Sequence, residues 1–171
     1  EAFLHNGGGW VLSLSQSDDQ ALRHALLPKV RELPYVITVG EGHARFHVAH
    51  AELMTGSQKA PALLADDQIQ EKTLSRMQEQ ILWGRRLIRT FEKKQAARHA
   101  TRAGELLVSE QAMHPGLSLT YVGHTPLREM VLHESHLFID RGGFLRKPGS
   151  KLQVLGHDEV TAWLPAESVQ N

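Results

Sequence analysis

Cysteine is absent from the 171 residues, which excludes a disulfide framework and any thiolate metal site. Neither sign of charge is in excess, with 19 Lys and Arg against 19 Asp and Glu. That balance leaves no electrostatic footprint for nucleic acid or an anionic membrane surface. No apolar run approaches the roughly 18 residues needed to span a bilayer, and no secretory signal is present. A soluble, cytoplasmic protein is the expectation. Met does not open the chain; Glu1 does, which reads as a trimmed, processed or partly represented chain. Internal repeats and low-complexity segments are also missing. What is plentiful is histidine, 11 residues, on a chain long enough for one domain with a real core.

The organising stretch runs from Tyr121 to Gly143, Y-V-G-H-T-P-L-R-E-M-V-L-H-E-S-H-L-F-I-D-R-G-G. An apolar run stops abruptly at Gly123-His124-Thr125-Pro126, so a strand delivers a histidine to its C-terminal edge. A second run, Leu137-Phe138-Ile139-Asp140, ends on a carboxylate with glycines close behind. The pair reads as two core strands whose loops meet at a working edge.

Elsewhere the pattern is mixed. Three glycines, Gly7 to Gly9, make a turn before a short strand at 11–14; no Gly-Lys-Ser/Thr follows, so it is not a P-loop. Asp18 and Asp19 are N-cap candidates for a helix reaching about residue 33, with Leu22, Leu26, Val30 and Leu33 as one packing stripe and Pro34 as its stop. Residues 35–39 and 44–50 read as a hairpin. On the second strand Phe46, Val48 and His50 share a face, while His47 looks the other way. His50 sits at the strand's end; by itself such a histidine is more often a surface residue than a ligand. A long helical region follows at 66–98, broken near Gly84, with Ile69, Thr73, Met77, Ile81, Ile88 and Phe91 on its buried side. Residues 96–115 are less patterned. Residues 151–155 and 160–164 read as two closing strands joined by Gly156-His157-Asp158-Glu159. The remaining histidines, among them His133 and His136, have no paired context.

Several segments together carry a family likeness. G-H-T-P followed by F-I-D-x-G resembles the C-terminal half of the PPP-type metallophosphatases in the calcineurin-like phosphoesterase superfamily, above all the branch typified by the bacteriophage lambda protein phosphatase. Asn6-Gly7-Gly8-Gly9-Trp10, Val48-Ala49-His50-Ala51 and Trp83-Gly84-Arg85 resemble further segments of that branch. The resemblance implies an α/β fold, a metallophosphatase-type β-sandwich of two sheets flanked by helices, over one domain spanning 1–171. A helical cap-like insertion is expected around 66–115. It implies a centre of two divalent metals, Mn²⁺ foremost and Fe or Zn as alternatives, with His50 and His124 as ligands of one ion. Arg85, with Arg86 as second choice, would hold the substrate phosphate, and Asp140 would lie nearby as structural support. Two ligands of one metal bring their nitrogens within about 3–3.5 Å, with His47 pointing elsewhere.

The family's earlier motifs, G-D-x-H-G, G-D-x-x-D-R-G and G-N-H-E, do not occur, so the catalytic histidine of the last is not present. Asp140-Arg141-Gly142 follows G-H-T and matches the late I-D-T-G, with Arg141 replacing Thr. The likeness therefore covers most of this chain but only the second half of the enzyme. The expectation is a serine/threonine protein phosphatase-like phosphoesterase as part of a complete chain, with these residues alone inactive. The alternatives are a non-catalytic remnant serving as a binding module, and a histidine-based protein built on clusters such as His133 and His136. Implied partners are a phosphorylated protein or small phosphoester, together with the missing N-terminal half or a second copy, and neither nucleic acid nor membrane.

Overall fold

The computed structural model describes residue 4 and residues 8–55, 61–95, 101–103, 106–145 and 147–164. Contacts divide the chain into two compact units, Glu1–Pro34 and Tyr35–Asn171, where the sequence reads as one domain. The expected Asn6-Gly7 start of the first segment lies outside the described residues.

In the first unit the expected strand at 11–14 is instead part of a 3-10 turn, Gly8–Ser13. Local bonds hold it, Leu14 N–H to the Val11 carbonyl at 3.2 Å and the Ser13 hydroxyl to the Trp10 carbonyl at 2.7 Å. The helix begins earlier than expected, as α1 (Gln16–Ala21), because Ser15 and not an aspartate caps it by accepting from the Asp18 N–H at 3.2 Å. A five-residue π turn, Leu22–Leu26, leads into α2 (Leu27–Arg31). Pro28 explains the widened turn. Its ring crowds the preceding carbonyls and it donates no N–H, and the ladder adapts with a bond from Leu27 N–H to the Leu22 carbonyl. Three of the four residues read as a packing stripe are about half-exposed or more, Leu26 by 50%, Val30 by 49% and Leu33 by 64%, while Leu22 is partly buried.

The second unit has the expected α/β class and is built on one sheet. Its strands are β1 (Val36–Val39), β2 (Phe46–Ala49), β3 (Thr101–Ala103), β4 (Leu106–Val108), β5 (Leu119–Val122), β6 (Met130–His133) and β7 (His136–Phe138). They lie in the order β1-β2-β5-β7-β6-β4-β3. The β2–β5, β5–β7 and β4–β6 pairs are parallel and the remaining pairs antiparallel. Among the described residues this is the only sheet, so the second layer of a sandwich is not among them.

Strand alternation puts Val122, Val131 and Phe138 in one core and Leu119, Tyr121, Leu132 and Leu137 in the other, on opposite faces of the sheet. Central strands buried on both faces read as continuous apolar runs, which is why 119–122 and 130–133 are so apolar. The first core is covered by α3 (Glu71–Arg76), α4 (Gln78–Trp83) and α5 (Arg86–Gln95), through Leu74, Ile81, Ile88 and Phe91. The expected helix at 66–98 is thus three helices, broken at Met77 as well as at Gly84. It forms a core layer, and the stretch after it supplies the edge strand β3 and its neighbour β4. Residues 96–100 lie outside the described residues.

The closing strands expected at 151–155 and 160–164 are not strands. Lys151 forms an isolated bridge with Gly142, and α6 (His157–Thr161) covers the second core with Val160. Asp158 and Glu159, read as a turn, are the acidic first turn of that helix. The Glu159 carboxylate accepts from the Gly156 N–H at 3.3 Å. No helix among the described residues is long and apolar enough to cross a membrane.

Candidate functional site

Parallel pairing of β2 with β5 places Ala49 opposite Val122, so both strands run out at the same edge. His50 follows one and Gly123-His124 the other. The ladder extends one step beyond the strands, Gly123 N–H donating to the His50 carbonyl at 3.0 Å. The chain then turns within three residues, Thr125 N–H bonding to the Gly123 carbonyl at 2.7 Å with His124 at φ 66°. A tight turn centred on a non-glycine residue in the left-handed region stores about 1–3 kcal/mol, and such strain collects at functional positions. Here it aims the imidazole of His124 back across the edge.

The two rings meet. His50 Nε2 and His124 Nδ1 are 3.1 Å apart, with ring centroids at 4.9 Å. Arg85, exposed in the break between α4 and α5, donates from Nε to His124 Nε2 at 3.2 Å. The Trp83 indole stands edge-on to the same imidazole at 5.4 Å. A guanidinium only donates, so His124 Nε2 must be unprotonated; a neutral His124 then carries its proton on Nδ1 and donates to His50. Burial depresses the pKa of His124, and the positive charges of Arg85 and His50 add to the effect. Asp140 and a backbone hydrogen bond to Trp83 oppose it. Asp140 itself ends the neighbouring run: its carboxylate accepts from Gly142 N–H at 2.8 Å and its carbonyl from Leu127 N–H at 2.8 Å. Arg86 opens α5 and lies beside Glu52.

His47, one pleat inside, turns away into packing. It is 1% exposed, within 2.9 Å of Thr38 Oγ1 and 3.0 Å of Asp66 Oδ1. Asp66 also accepts from the Ser118 amide at 2.7 Å and the Ser118 hydroxyl at 2.6 Å. Burial raises the pKa of that carboxyl, but the Ser118 bonds and His47 outweigh it and hold the group below its usual range.

His133 and His136, the basis of the histidine-cluster alternative, are register partners on either side of a two-residue hairpin turn. Glu134 and Ser135 supply its positive φ values of 51° and 62°. His136 is fully buried; Nδ1 donates to the Glu134 carbonyl at 2.8 Å and Nε2 accepts from Leu53 N–H at 3.1 Å. Burial pushes its pKa down to about 4. With both nitrogens satisfied inside the core, it is a structural residue and not a nucleophile.

Two participants escape a reading of the sequence alone. Trp83 reads as part of the W-x-R pattern, not as a wall of the site. Glu52, two residues past His50, reads as a loop charge, yet it is 1% exposed and accepts from Ile88 N–H at 3.1 Å. Its one visible signal is that Arg86 and the residues after it begin a helix with no capping side chain before them.

As a metal site the edge offers one nitrogen pair. Two nitrogens bound to a common ion at about 2.0–2.1 Å lie about 3–3.5 Å apart, and His50 Nε2 and His124 Nδ1 fit that spacing. Among the described residues no group of three or more His, Asp or Glu converges. As an anion site the same edge offers a guanidinium beside two imidazoles. Compared with protein-family models and with curated proteins, the chain gives no match.

Proposed function

We propose that the edge formed by His50, His124 and Arg85 is the phosphate-handling half of a metal-dependent phosphoesterase of the serine/threonine protein phosphatase kind, working in a cytoplasmic setting. Its substrates would be phosphomonoesters of proteins or small molecules. The observation that carries this reading is the meeting of His50 Nε2 and His124 Nδ1 at 3.1 Å with Arg85 on the far side of the same ring.

His50 Nε2 and His124 Nδ1 would hold one divalent ion, Mn²⁺ or alternatively Fe or Zn. Bound divalent ions polarise a phosphoester and lower the pKa of water for in-line attack. The chain's own residues prepare for that chemistry. Depression of the His124 pKa keeps its imidazole neutral, the form that ligates. An ion on Nδ1 would leave the ring proton on Nε2, which then no longer accepts from Arg85, so the guanidinium, charged at all working pH, would be released to present its fork to phosphate oxygens. The Trp83 indole walls one side of the ring.

The carboxylate-bearing motifs that would complete a two-ion centre are missing from these residues, so this chain alone is expected to turn over an aryl phosphate very poorly, even in excess Mn²⁺. Turnover comparable to a complete phosphatase would overturn the assignment and redirect attention to another site. A second reading, a non-catalytic module that binds phosphorylated partners, is favoured by the lack of a third converging ligand among the described residues.

Orthophosphate titration by calorimetry, with and without Mn²⁺, tests the shared part of both readings. Arg85→Ala should weaken phosphate binding by about tenfold to a hundredfold, the loss of one charge-assisted contact. His50→Ala and His124→Ala should each remove the Mn²⁺ dependence. Loss on Arg86→Ala with none on Arg85→Ala would move the phosphate contact one residue along; loss on neither would end the proposal.

A further inference from the structure

Arg85 stands where a helix normally places a residue that can accept hydrogen bonds. Its carbonyl takes the Arg89 N–H at 3.1 Å, so Arg85 is the N-cap of the ten-residue α5. Ser, Thr, Asp or Asn is favoured there because the side chain must accept from the first-turn amides. A guanidinium has no acceptor. The amides would be stranded if nothing else reached them.

Glu52 reaches them from another part of the chain. Its carboxylate is buried and accepts from the backbone of Arg86, Leu87 and Ile88, with Ile88 N–H donating to Oε1 at 3.1 Å. Its other oxygen lies against Gly84, where an added Cβ would stand 3.2 Å from Oε2 and 2.5 Å from the Gln80 carbonyl. Beside it, Ala51 N–H donates to the Ile81 carbonyl at 2.8 Å. The segment that carries His50 therefore plugs the start of α5 and abuts the glycine immediately before Arg85. The cap that an ordinary helix finds in its own chain is here supplied by the neighbouring site segment.

We propose that Glu52 is a positioning residue: by capping α5 from the His50 segment it fixes where Arg85 leaves the helix, and so sets the guanidinium against His124. The role in phosphate binding rests on the function proposed above; the placement of Arg85 does not. Arg85 is freed to carry a cation at the N-cap because Glu52 does the capping. A residue chosen for stability alone would be the reverse arrangement, an acceptor at 85 and no buried acid at 52.

The test separates the two claims. The Arg85 Nε–H signal, assigned by its loss in Arg85→Lys, should be resolved in the proton–nitrogen spectrum of the wild-type chain because the bond to His124 protects it. In Glu52→Gln, which keeps the shape but not the carboxylate, that signal should broaden or vanish while the sheet amides stay in place. Orthophosphate affinity should fall about tenfold, the usual scale for losing a supporting contact. In the Arg85→Ala background the same change should cost no further affinity, since Glu52 acts through Arg85. Glu52→Asp, which keeps the charge and shortens the reach, should recover part of both readouts. A folded Glu52→Gln chain with lower melting temperature but unchanged Arg85 signal and phosphate affinity would overturn the proposal. Wild-type chain that fails to bind orthophosphate, yet loses its Arg85 signal in Glu52→Gln, would overturn the phosphate reading and support the positioning role.

Discussion

Two sets of histidines ride on the same sheet and are built in opposite ways. His47 and His136 lie within strands, with 1% and 0% exposure, and each ring nitrogen faces a partner it can bond. His50 and His124 lie one and two residues beyond their strands; their nitrogens face each other, and a guanidinium stands on the far side. In the first set the fold uses the imidazole as a two-ended connector. In the second the rings bond to each other and to Arg85 at a partly exposed strand edge, where a ligand can reach them. A histidine's role is thus read from what its two nitrogens see and not from its abundance or spacing.

Removing a connector should break the molecule, and this is the largest effect expected. His136→Ala strands the Leu53 N–H and the Glu134 carbonyl in the core and opens a cavity. Stability should fall by about 3–5 kcal/mol, read from the urea midpoint at constant slope. A loss under about 1 kcal/mol would erase the distinction between the two sets.

Acid sharpens the comparison next. The unfolded chain takes up the His136 proton near the ordinary value of 6.5, whereas the folded chain resists to about 4. Between those values the unfolded state binds more protons, so stability rises with pH across the window. It is fully present above 6.5 and drains away as pH falls toward 4, by roughly 3 kcal/mol for this residue. Burial depresses His133 in the same direction. Urea titrations from neutral to mildly acidic pH should show the slope in wild type and a flatter one in His136→Leu; equal slopes would assign the acid sensitivity elsewhere.

The smallest effect is the most discriminating. His124→Gly removes the ring and relieves a left-handed backbone, φ 66°. Stability should hold or rise by about 1 kcal/mol while Mn²⁺ binding, and with it the Mn²⁺ dependence of orthophosphate binding, vanishes. A substantial loss of stability would make His124 another connector.

Much of this edge was legible beforehand. Gly123 and Pro126 bracket His124, and the apolar runs before His50 and His124 announce strands, so the meeting of the two rings follows once those strands are parallel neighbours. The turn at Gly84 was equally visible. What escaped was set by contacts remote in the chain. Glu52 carries no local mark, because its partners are amides of Arg86, Leu87 and Ile88. Residues 151–164 misled because short apolar runs look alike as strand or helix, and the acidic pair that starts α6 also suits a turn. Pro28 sits inside a convincing helical stripe, and the π turn that absorbs it leaves no sequence mark of its own.

Finally, the histidine pair is separated by 74 positions in the chain. Its geometry exists only once β2 and β5 pair, a contact that closes a long loop at an entropic cost. Nothing resembling the pair survives in an unfolded chain. A ligand held by both rings at once therefore favours the folded state, and its affinity should appear as added stability, up to about 2.7 kcal/mol at a hundredfold excess over its Kd when the unfolded chain does not bind it. Thermal melting with candidate ions and phosphoesters thus doubles as a direct assay of which ligand this edge was built to hold.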